Sequence, residues 1–503
     1  MIKYRNSDQV WNWWSAIRIF FCMFTLIHSA HAETSSRPNV LLIMVDDLRP
    51  ALHCFGDETA ITPNIDRLAA RGTTFRSAYC QQAVCSPSRL SMLTGRRPDS
   101  IRVWDLSTHF RAAKPHLVAM PQLFRQNGYT TESVGKIYHG SGKPSKDPPS
   151  WSVEPKFDYV RDPILRYASP ENLAGNGLKR DSTEAADAPD SHYVDGKVCE
   201  NALASLDRKQ QSHNPAPFFL AIGFRKPHLP FCAPRKYWEL YERDEIPLPA
   251  NGAHPKNAPE LATRSWRELE GYRDIPKDGQ IDEAKIRQLR HGYYACVSYV
   301  DALIGRLLKK LESTKFADNT VVVLCGDHGY HLGEQGLWTK ANNFELSTCV
   351  PLIIAAPSFQ PATTDALVEM VDIYPTLAQL CKMAAPSDLE GRSLVPLLQD
   401  PNQAWKSAVF SQYPRQREGH RHRKHGEIMG YAVRTKQYRY VQWQEWDSAK
   451  VIAKELYDHN VDAAEAINVA DDPVNSEVIV TLEAALAAGF SRVETPVAAG
   501  ANR

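Results

Sequence analysis

An α/β fold, built on a large, mainly parallel central sheet flanked by helices with a smaller antiparallel sheet behind it, is what this sequence of 503 residues predicts. Continuous apolar runs at Asn39–Val45, Pro217–Gly223 and Thr320–Cys325 have the character of strands buried on both faces. Segments of helical period lie between these runs, as the α/β pattern requires. Beyond about residue 400 the pattern changes: Tyr431–Arg434 and Tyr438–Trp443 alternate like antiparallel strands with one solvated face.

The chain opens with Lys3, Arg5 and Arg18, then an apolar run from Ile19 to Ile27 and the small-x-small site Ala30-His31-Ala32. This predicts a secretory signal peptide over residues 1–32 and an exported mature protein, an uncleaved anchor being the alternative. The run is too short to span a bilayer as a mature helix. The remaining chain divides into a catalytic region over 37–400, a C-terminal subdomain over 401–490 and a frayed tail over 491–503.

Asn39–Val45 ends abruptly in Asp46-Asp47, and Thr62-Pro63-Asn64 then opens a helical pattern through Ile65, Leu68 and Ala69 that Gly72 stops. In Cys85-Ser86-Pro87-Ser88-Arg89, Ser86 is a candidate helix cap and Pro87 suits the first turn. Leu90 and Leu93 share a face of that helix and Gly95 terminates it. Cys85 is thereby expected just outside a helix N-terminus, where free N–H groups and the helix dipole attract an anion, with Arg89 able to reach back.

A short helix over Met120–Gly128 precedes a strand over Tyr129–Val134, which leads into Lys136 and His139. Residues 141–195, rich in Pro, Ser, Asp and Gly, are expected to form a long surface excursion, and 244–279 a second. The Pro217–Gly223 strand runs into Arg225-Lys226-Pro227-His228. A core helix follows, with Ile286, Leu289, Tyr293, Cys296, Val300, Ile304, Leu307 and Leu311 at helical spacing. Thr320–Cys325 repeats the opening motif, a buried strand ending in Asp327-His328, and Val350–Ile354 is a further strand.

Composition is that of an ordinary globular protein, 43% hydrophobic and 23% charged with net charge +1, and gives no electrostatic case for a nucleic-acid partner. Ten cysteines without a C-x-x-C pair argue against zinc, and those inside apolar runs read as core residues.

Open α/β sheets place ligands at the carboxyl ends of their strands. Asp46, Asp47, Asp327 and His328 each follow a strand there, an oxygen-rich set suited to Ca²⁺ or Mg²⁺. Either pair taken alone better suits a turn cap or a loop hydrogen bond, and it is the repetition of the pattern after two similar strands that points to a metal. Arg89, Lys136, His139, His228 and Lys340 would supply cations and proton donors around a tetrahedral anion, as transfer of a sulfuryl or phosphoryl group needs.

Cys85-x-Pro87-x-Arg89, continuing to Leu93-Thr94-Gly95, resembles the signature of the Cys-type sulfatases. The closest resemblance is to the iduronate-2-sulfatase branch, in Val45–Pro50, Gln81–Cys85, Gly95–Asp99, Ser133–Lys136, Lys226–His228 and Tyr299–Asp301. His328 where most sulfatases carry Asn, and Lys136 three residues from His139, fit that branch, as do Gly430–Thr435 and Glu455–Asp458. The resemblance implies an alkaline-phosphatase-like sandwich and conversion of Cys85 to formylglycine by a formylglycine-generating enzyme. It also implies Ca²⁺ bound by Asp46, Asp47, residue 85, Asp327 and His328, and a sulfated saccharide as substrate. In the roles it implies, Lys136 and Lys340 hold sulfate, His228 protonates the leaving oxygen with help from Lys340, His139 takes a proton from the hydrated aldehyde, and Arg89 orients residue 85. Two alternatives stay open here: a phosphonate or phosphate ester hydrolase using the same fold, and a non-catalytic sulfated-glycan-binding protein.

Overall fold

The computed structural model describes Met1 and residues 37–140, 146–156, 163–175, 180–213, 216–264, 267–277, 280–416 and 425–490. The expected signal segment and the 491–503 tail lie outside these residues. In chain order the strands are β1 (Asn39–Val45), β2 (Thr73–Tyr79), β3 (Thr130–Gly135), β4 (Thr183–Ala186), β5 (Phe218–Phe224), β6 (Phe231–Pro234), β7 (Thr320–Gly326) and β8 (His331–Leu332). They continue with β9 (Trp338–Thr339), β10 (Cys349–Ala355), β11 (Ala362–Thr364), β12 (Val368–Glu369), β13 (Val409–Arg415), β14 (Ile428–Arg434), β15 (Tyr438–Glu445) and β16 (Val451–Asp458). The described helices of seven or more residues are α1 (Pro63–Ala69), α2 (Cys85–Thr94), α3 (Met120–Gln126), α4 (Val194–Gln211), α5 (Glu283–Glu312), α6 (Ile373–Leu380) and α7 (Ser476–Phe490).

The central sheet runs β11-β2-β10-β7-β1-β5-β3, with β12 also paired to β2. β1 lies in its middle, parallel to β5 with Val45 opposite Phe224, and parallel to β7 with Val45 opposite Gly326. β3 extends the parallel set beyond β5, whereas β10 is antiparallel to both β7 and β2. The sheet is therefore mixed and mainly parallel, as expected.

Every residue of β1, β5 and β7 is buried, and alternate side chains enter two separate cores. Leu41, Ile43, Val45, Leu220, Ile222 and Leu324 face α4 and α5, while Val40, Leu42, Met44, Phe219, Ala221 and Val323 face α2, α3 and α6. This is the period-2 pattern of a strand covered on both sides. At about 1.5–3 kcal/mol for each large aliphatic side chain removed from water, these two layers are the main support of the strand ends. The 30-residue helix α5 is capped by Asp282, whose side chain accepts from the Lys285 N–H, and it ends on Lys309 and Lys310, which complement its dipole.

The C-terminal strands form the expected antiparallel sheet, β13-β14-β15-β16. α7 covers one face through Ile479, Leu482 and Leu486 against Val433, Tyr440 and Leu456. The sheet docks onto the segment before α2, where the Gln412 N–H donates to the Gln81 carbonyl at 2.8 Å and Ser411 Oγ to the Cys80 carbonyl at 2.6 Å.

Two expectations need correction. The 141–195 segment is not wholly a surface excursion: its described part buries Trp151, Tyr167 and Tyr193, pairs β4 in parallel with β6, and begins α4. Large aromatics spaced without period anchor it, so its polar composition misleads. Strand β2 was not anticipated, because Arg76 and Ser77 interrupt its apolar pattern where the strand meets solvent. The core reading of the cysteines holds for Cys80, Cys199, Cys232, Cys296, Cys325, Cys349 and Cys381, all buried and unbridged.

Candidate active site

Four adjacent parallel strands deliver the predicted residues to one end of the sheet. Asp46 and Asp47 leave β1, Lys136 leaves β3, the Arg225–His228 segment leaves β5, and Asp327 and His328 leave β7. Cys85 comes from the opposite layer, on the first residue of α2.

Helix α2 begins two residues earlier than expected. Val84 is its N-cap, in extended conformation and without a side-chain cap, so Ser86 does not cap the helix and Cys85 lies within the first turn. The Ser88 N–H already bonds to the Val84 carbonyl at 3.0 Å, which places the first intrahelical bond there. Pro87 still falls where its missing N–H is harmless, and Gly95 closes the helix at φ 66°. The N-terminus of a ten-residue helix thus faces the carboxylates and cations of the site.

Ligand atoms of Asp46, Asp47, Cys85 and His328 all lie within 4.8 Å of one another, and all four residues are buried. Cys85 Sγ is 3.3 Å from His328 Nε2, which is 3.4 Å from Asp47 Oδ1. His328 Nδ1 lies 2.9 Å from the Gly329 carbonyl, so its proton belongs there and Nε2 turns toward the carboxylates. Asp327 stands beside the group, with Oδ2 3.7 Å from His328 Nε2. Its Oδ1 accepts the Asp47 and His328 N–H groups at 3.0 Å each, and its Oδ2 accepts Arg89 Nε at 2.8 Å.

Arg89 holds this arrangement together. Besides Asp327 it donates to Asp46 Oδ1 at 3.0 Å and to the Lys136 carbonyl, with no solvent exposure. It orients the carboxylates rather than reaching back to Cys85. Asp46 also takes the Lys136 ammonium on its other oxygen. Burial opposes ionisation of Asp46, but Lys136 and Arg89 outweigh it and hold the carboxyl well below its ordinary value. Asp47 goes the other way: burial, reinforced by the Asp46 charge, pushes it up to about 8 against the pull of Lys340. For His328 burial is opposed by Asp327, Cys85 and Asp47, which together raise it to about 10. Two carboxylates forced together, with an imidazole nitrogen aimed at them, fit a hard divalent cation.

Backbone strain is concentrated at the same place. Asp47 has φ 61°, and its conformation is fixed by its N–H on Asp327 and its carbonyl on Tyr293 Oη at 2.8 Å. Lys340 lies between Thr339 at φ 74° and Ala341 at φ 83°, just after the β8–β9 hairpin. A β-branched residue with positive φ is unusual, and here it turns Lys340 inward to Asp47 Oδ2 at 2.8 Å. Burial lowers Lys340, but Asp47 and Glu268 raise it well above the usual lysine range.

At the opposite wall, His228 Nδ1 sits 2.6 Å from the Leu229 carbonyl and Nε2 lies 4.0 Å from Asp46 Oδ2. Lys226 bonds the His228 carbonyl at 3.1 Å and so fixes the loop that carries the ring. His139 Nδ1 is buried and makes no hydrogen bond. Burial, helped by Lys136, lowers His139 to about 3, so its ring is neutral and able to accept a proton.

Sequence reasoning missed Glu268. It arises from the second irregular segment, accepts from Lys340 Nζ at 2.9 Å and lies 3.3 Å from His228 Nε2. It also missed the support of Asp47 by Tyr293, whose helical spacing marks it only as a core residue. Nothing in the local sequence around Glu268 distinguishes it from neighbouring surface carboxylates.

Paired carboxylates, lysines and a helix N-terminus at the strand ends of a two-sided α/β sandwich define the alkaline-phosphatase-like class of hydrolases. The sulfatase family profile matches residues 38–383, and a profile described as the C-terminal part of N-sulphoglucosamine sulphohydrolase matches residues 333–491. Iduronate 2-sulfatase of Mus musculus is 33% identical to this chain, over 88% of the chain and 93% of its own length. The Homo sapiens iduronate 2-sulfatase is likewise 33% identical, over 88% and 91%. Among solved structures, phosphonate monoester hydrolase from Silicibacter pomeroyi superposes with a TM-score of 0.75 at 22% identity, over 92% of this chain and 97% of its own. A protein solved with its substrate D-glucosamine-2-N,6-O-disulfate superposes at 0.71 and 22% identity, over 92% and 100%. The chain belongs to the sulfatase family and is a sulfuric ester hydrolase most like the iduronate-2-sulfatase branch.

Proposed function

We propose that this sulfatase hydrolyses a sulfate ester of a sugar, iduronate 2-sulfate or a related polysaccharide sulfate. In this reading Cys85 is matured to formylglycine and Ca²⁺ is held by Asp46, Asp47, residue 85, Asp327 and His328. The observation that carries the reading is the packing of Asp46, Asp47, Cys85 and His328 ligand atoms within 4.8 Å of one another, with Lys136 and Lys340 bonded to the two aspartates.

Formylglycine at position 85 and a cation held by Asp46, Asp47, Asp327 and His328 would together supply a hydroxyl nucleophile, charge neutralisation for the sulfate and, through the second hydroxyl of the hydrate, a route for its release. The side chains do the rest. Lys136 and Lys340 bind sulfate oxygens, trading part of their contact with Asp46 and Asp47. Burial holds the His228 ring neutral, with its proton on Nδ1 toward the Leu229 carbonyl. Its Nε2 therefore serves the leaving sugar oxygen only after taking up a proton as the anionic substrate binds, with the charged Lys340 ammonium beside it as the second donor. His139, neutral and unpartnered at Nδ1, accepts the proton that elimination releases. Arg89 keeps Asp46 and Asp327 in register throughout.

The N-terminal basic and apolar run supports an exported protein, and no described helix is long and apolar enough to cross a membrane. The test is a comparison of 4-nitrophenyl sulfate with 4-nitrophenyl phosphate, using protein made together with a formylglycine-generating enzyme. Preferential turnover of the sulfate is expected. Preference for the phosphate or a phosphonate would replace the reading by the ester-hydrolase alternative, and glycan binding without any turnover would replace it by the binding-protein one.

A further inference from the structure

Among the site residues expected from the sequence, Lys340 alone follows neither a strand of the central sheet nor α2; it follows the two-stranded hairpin of β8 and β9. The C-terminal part of the chain holds it from both sides. Before it, Gln335 Nε2 donates to the Ala464 carbonyl at 3.1 Å. Beyond it, Asn343 Nδ2 donates to the Gly430 carbonyl of β14 at 3.0 Å, and the Glu345 N–H to Glu465 Oε2 at 2.9 Å. Leu337 and Phe344 flank the lysine and enter one buried cluster with Ile428, Val441 and Trp443. Thr339 and Ala341, on either side of it, both have positive φ, a conformation that persists only where the surroundings impose it.

One side chain joins this span to the nucleophile. Tyr413 of β13 is buried and packs in a small apolar cluster with Val84 and Ala341. Val84 is the N-cap of the helix that begins at Cys85, and Ala341 follows Lys340 directly. The backbones meet there as well, the Ala341 N–H donating to the Ala83 carbonyl at 3.2 Å. The Arg415 guanidinium lies 4.5 Å from the centre of the Tyr413 ring, and its Nε donates to the Leu261 carbonyl at 2.7 Å, so the ring is backed by a fixed group. Lys340 in turn spans Asp47 at 2.8 Å and Glu268 at 2.9 Å. Its long side chain can hold a sulfate oxygen in line with residue 85 only if its backbone is fixed, because an error of about 1 Å in such a group costs about 100-fold in rate.

We propose that Tyr413 is a positioning residue for sulfate transfer: packed with Val84 and Ala341, it lets the C-terminal sheet set Lys340 against residue 85. The sheet then acts on the reaction through Lys340. The proposal rests on the sulfatase reading and deepens it, by naming what holds the sulfate-binding lysine in place.

The test uses full-length matured enzyme with 4-nitrophenyl sulfate. Rates are expressed per formylglycine-containing site, counted by mass spectrometry of the peptide spanning position 85. The variants are Tyr413→Leu, which removes the flat ring, Tyr413→Phe, which keeps it, and Tyr440→Leu, on the face of the same sheet that α7 covers. Tyr413→Leu is expected to lower kcat/KM about 10- to 100-fold and to weaken inhibition by inorganic sulfate at least about threefold, while Tyr413→Phe stays within about twofold of the parent. Tyr440→Leu is expected to lower the unfolding midpoint with kcat/KM again within about twofold of the parent. Where Tyr413→Leu does not fold, Asn343→Ala, which frees the same span from β14, is read in its place with the same expectations. Unchanged kcat/KM or unchanged sulfate inhibition, an equal loss in Tyr413→Phe, or an equal loss in Tyr440→Leu overturns the proposal. Failure of the parent enzyme to hydrolyse 4-nitrophenyl sulfate overturns the sulfatase reading itself, and the inference falls with it.

Discussion

Arg89 Nε donates to Asp327 Oδ2 at 2.8 Å with both side chains fully shielded from solvent. The same guanidinium reaches Asp46 and the Lys136 carbonyl, so one side chain of α2 ties together the ends of β7, β1 and β3. Arg89→Ala would strip two buried carboxylates of their guanidinium, leaving Asp46 with Lys136 and Asp327 with backbone N–H groups, and is expected to lower stability by up to about 3–5 kcal/mol, read by denaturant unfolding. Arg89→Lys keeps the charge but not the fork, and is expected to restore stability only in part. An alanine variant as stable as the parent would show that the bridge holds nothing.

His328→Ala removes the imidazole nitrogen that faces Asp47 at 3.4 Å. Metal content, measured by elemental analysis of purified protein, and sulfatase activity are expected to fall together. Full metal content in the variant would take His328 out of the ligand set.

Mass spectrometry of the peptide spanning Cys85 is expected to show formylglycine in active protein. Cys85→Ala is expected to abolish turnover while leaving the fold intact, because the side chain contributes little to the core. Full activity with a free thiol would remove the mechanism.

Gly223 and Gly135 meet back to back where Lys136 turns into the site. A Cβ on Gly223 would lie 2.0 Å from the Lys136 carbonyl oxygen, and one on Gly135, itself at φ 79°, 2.2 Å from the Gly223 oxygen. Gly223→Ala must therefore move the lysine backbone. Activity is expected to drop by at least about tenfold with a stability loss of about 1–3 kcal/mol, as for overpacking elsewhere. Unfolding and kinetic measurements on the same preparation check both.

Glu455 contributes a pH dependence to the C-terminal sheet opposite in sign to that of Glu345 and Glu465, where burial is outweighed by Arg439, which holds both carboxyls low. Its carboxylate is buried, accepts from Trp443 Nε1 and Tyr457 Oη at 2.7 Å each, and is pushed up to about 7, chiefly by burial. The folded protein then binds a proton there that the unfolded chain releases near 4.5, so this contribution is complete below that value. It is lost as pH rises toward 7, and at about 1.4 kcal/mol per unit it amounts to about 3 kcal/mol. Glu455→Gln is expected to flatten the stability profile across that window. An unchanged slope would show that Glu455 ionises normally.

The central sheet and the convergence of its strand ends were legible because a strand covered on both faces leaves a continuous apolar signature, and Asp46-Asp47 and Asp327-His328 interrupt it sharply. The Cys85 motif was legible for the same reason, its composition being constrained by helix start and site at once. The start of α2 was misplaced by two residues because Val84 reaches the turn through extended backbone, without any polar cap to mark it. Glu268 was illegible. It lies in a segment without hydrophobic period and is brought to the site by the path of a loop rather than by the register of a strand.

β1 and β7 are direct neighbours at the middle of the sheet, so Asp46, Asp47, Asp327 and His328 terminate its most enclosed hydrogen-bond ladder. Amide exchange in such a ladder proceeds only through large-scale opening, whereas loops open on their own. The carboxylate cluster should therefore persist on a slower clock than the loop that brings in Glu268. Sequence change in that loop can reshape the wall beside Lys340 and His228 without loosening the strand ends that hold the carboxylates.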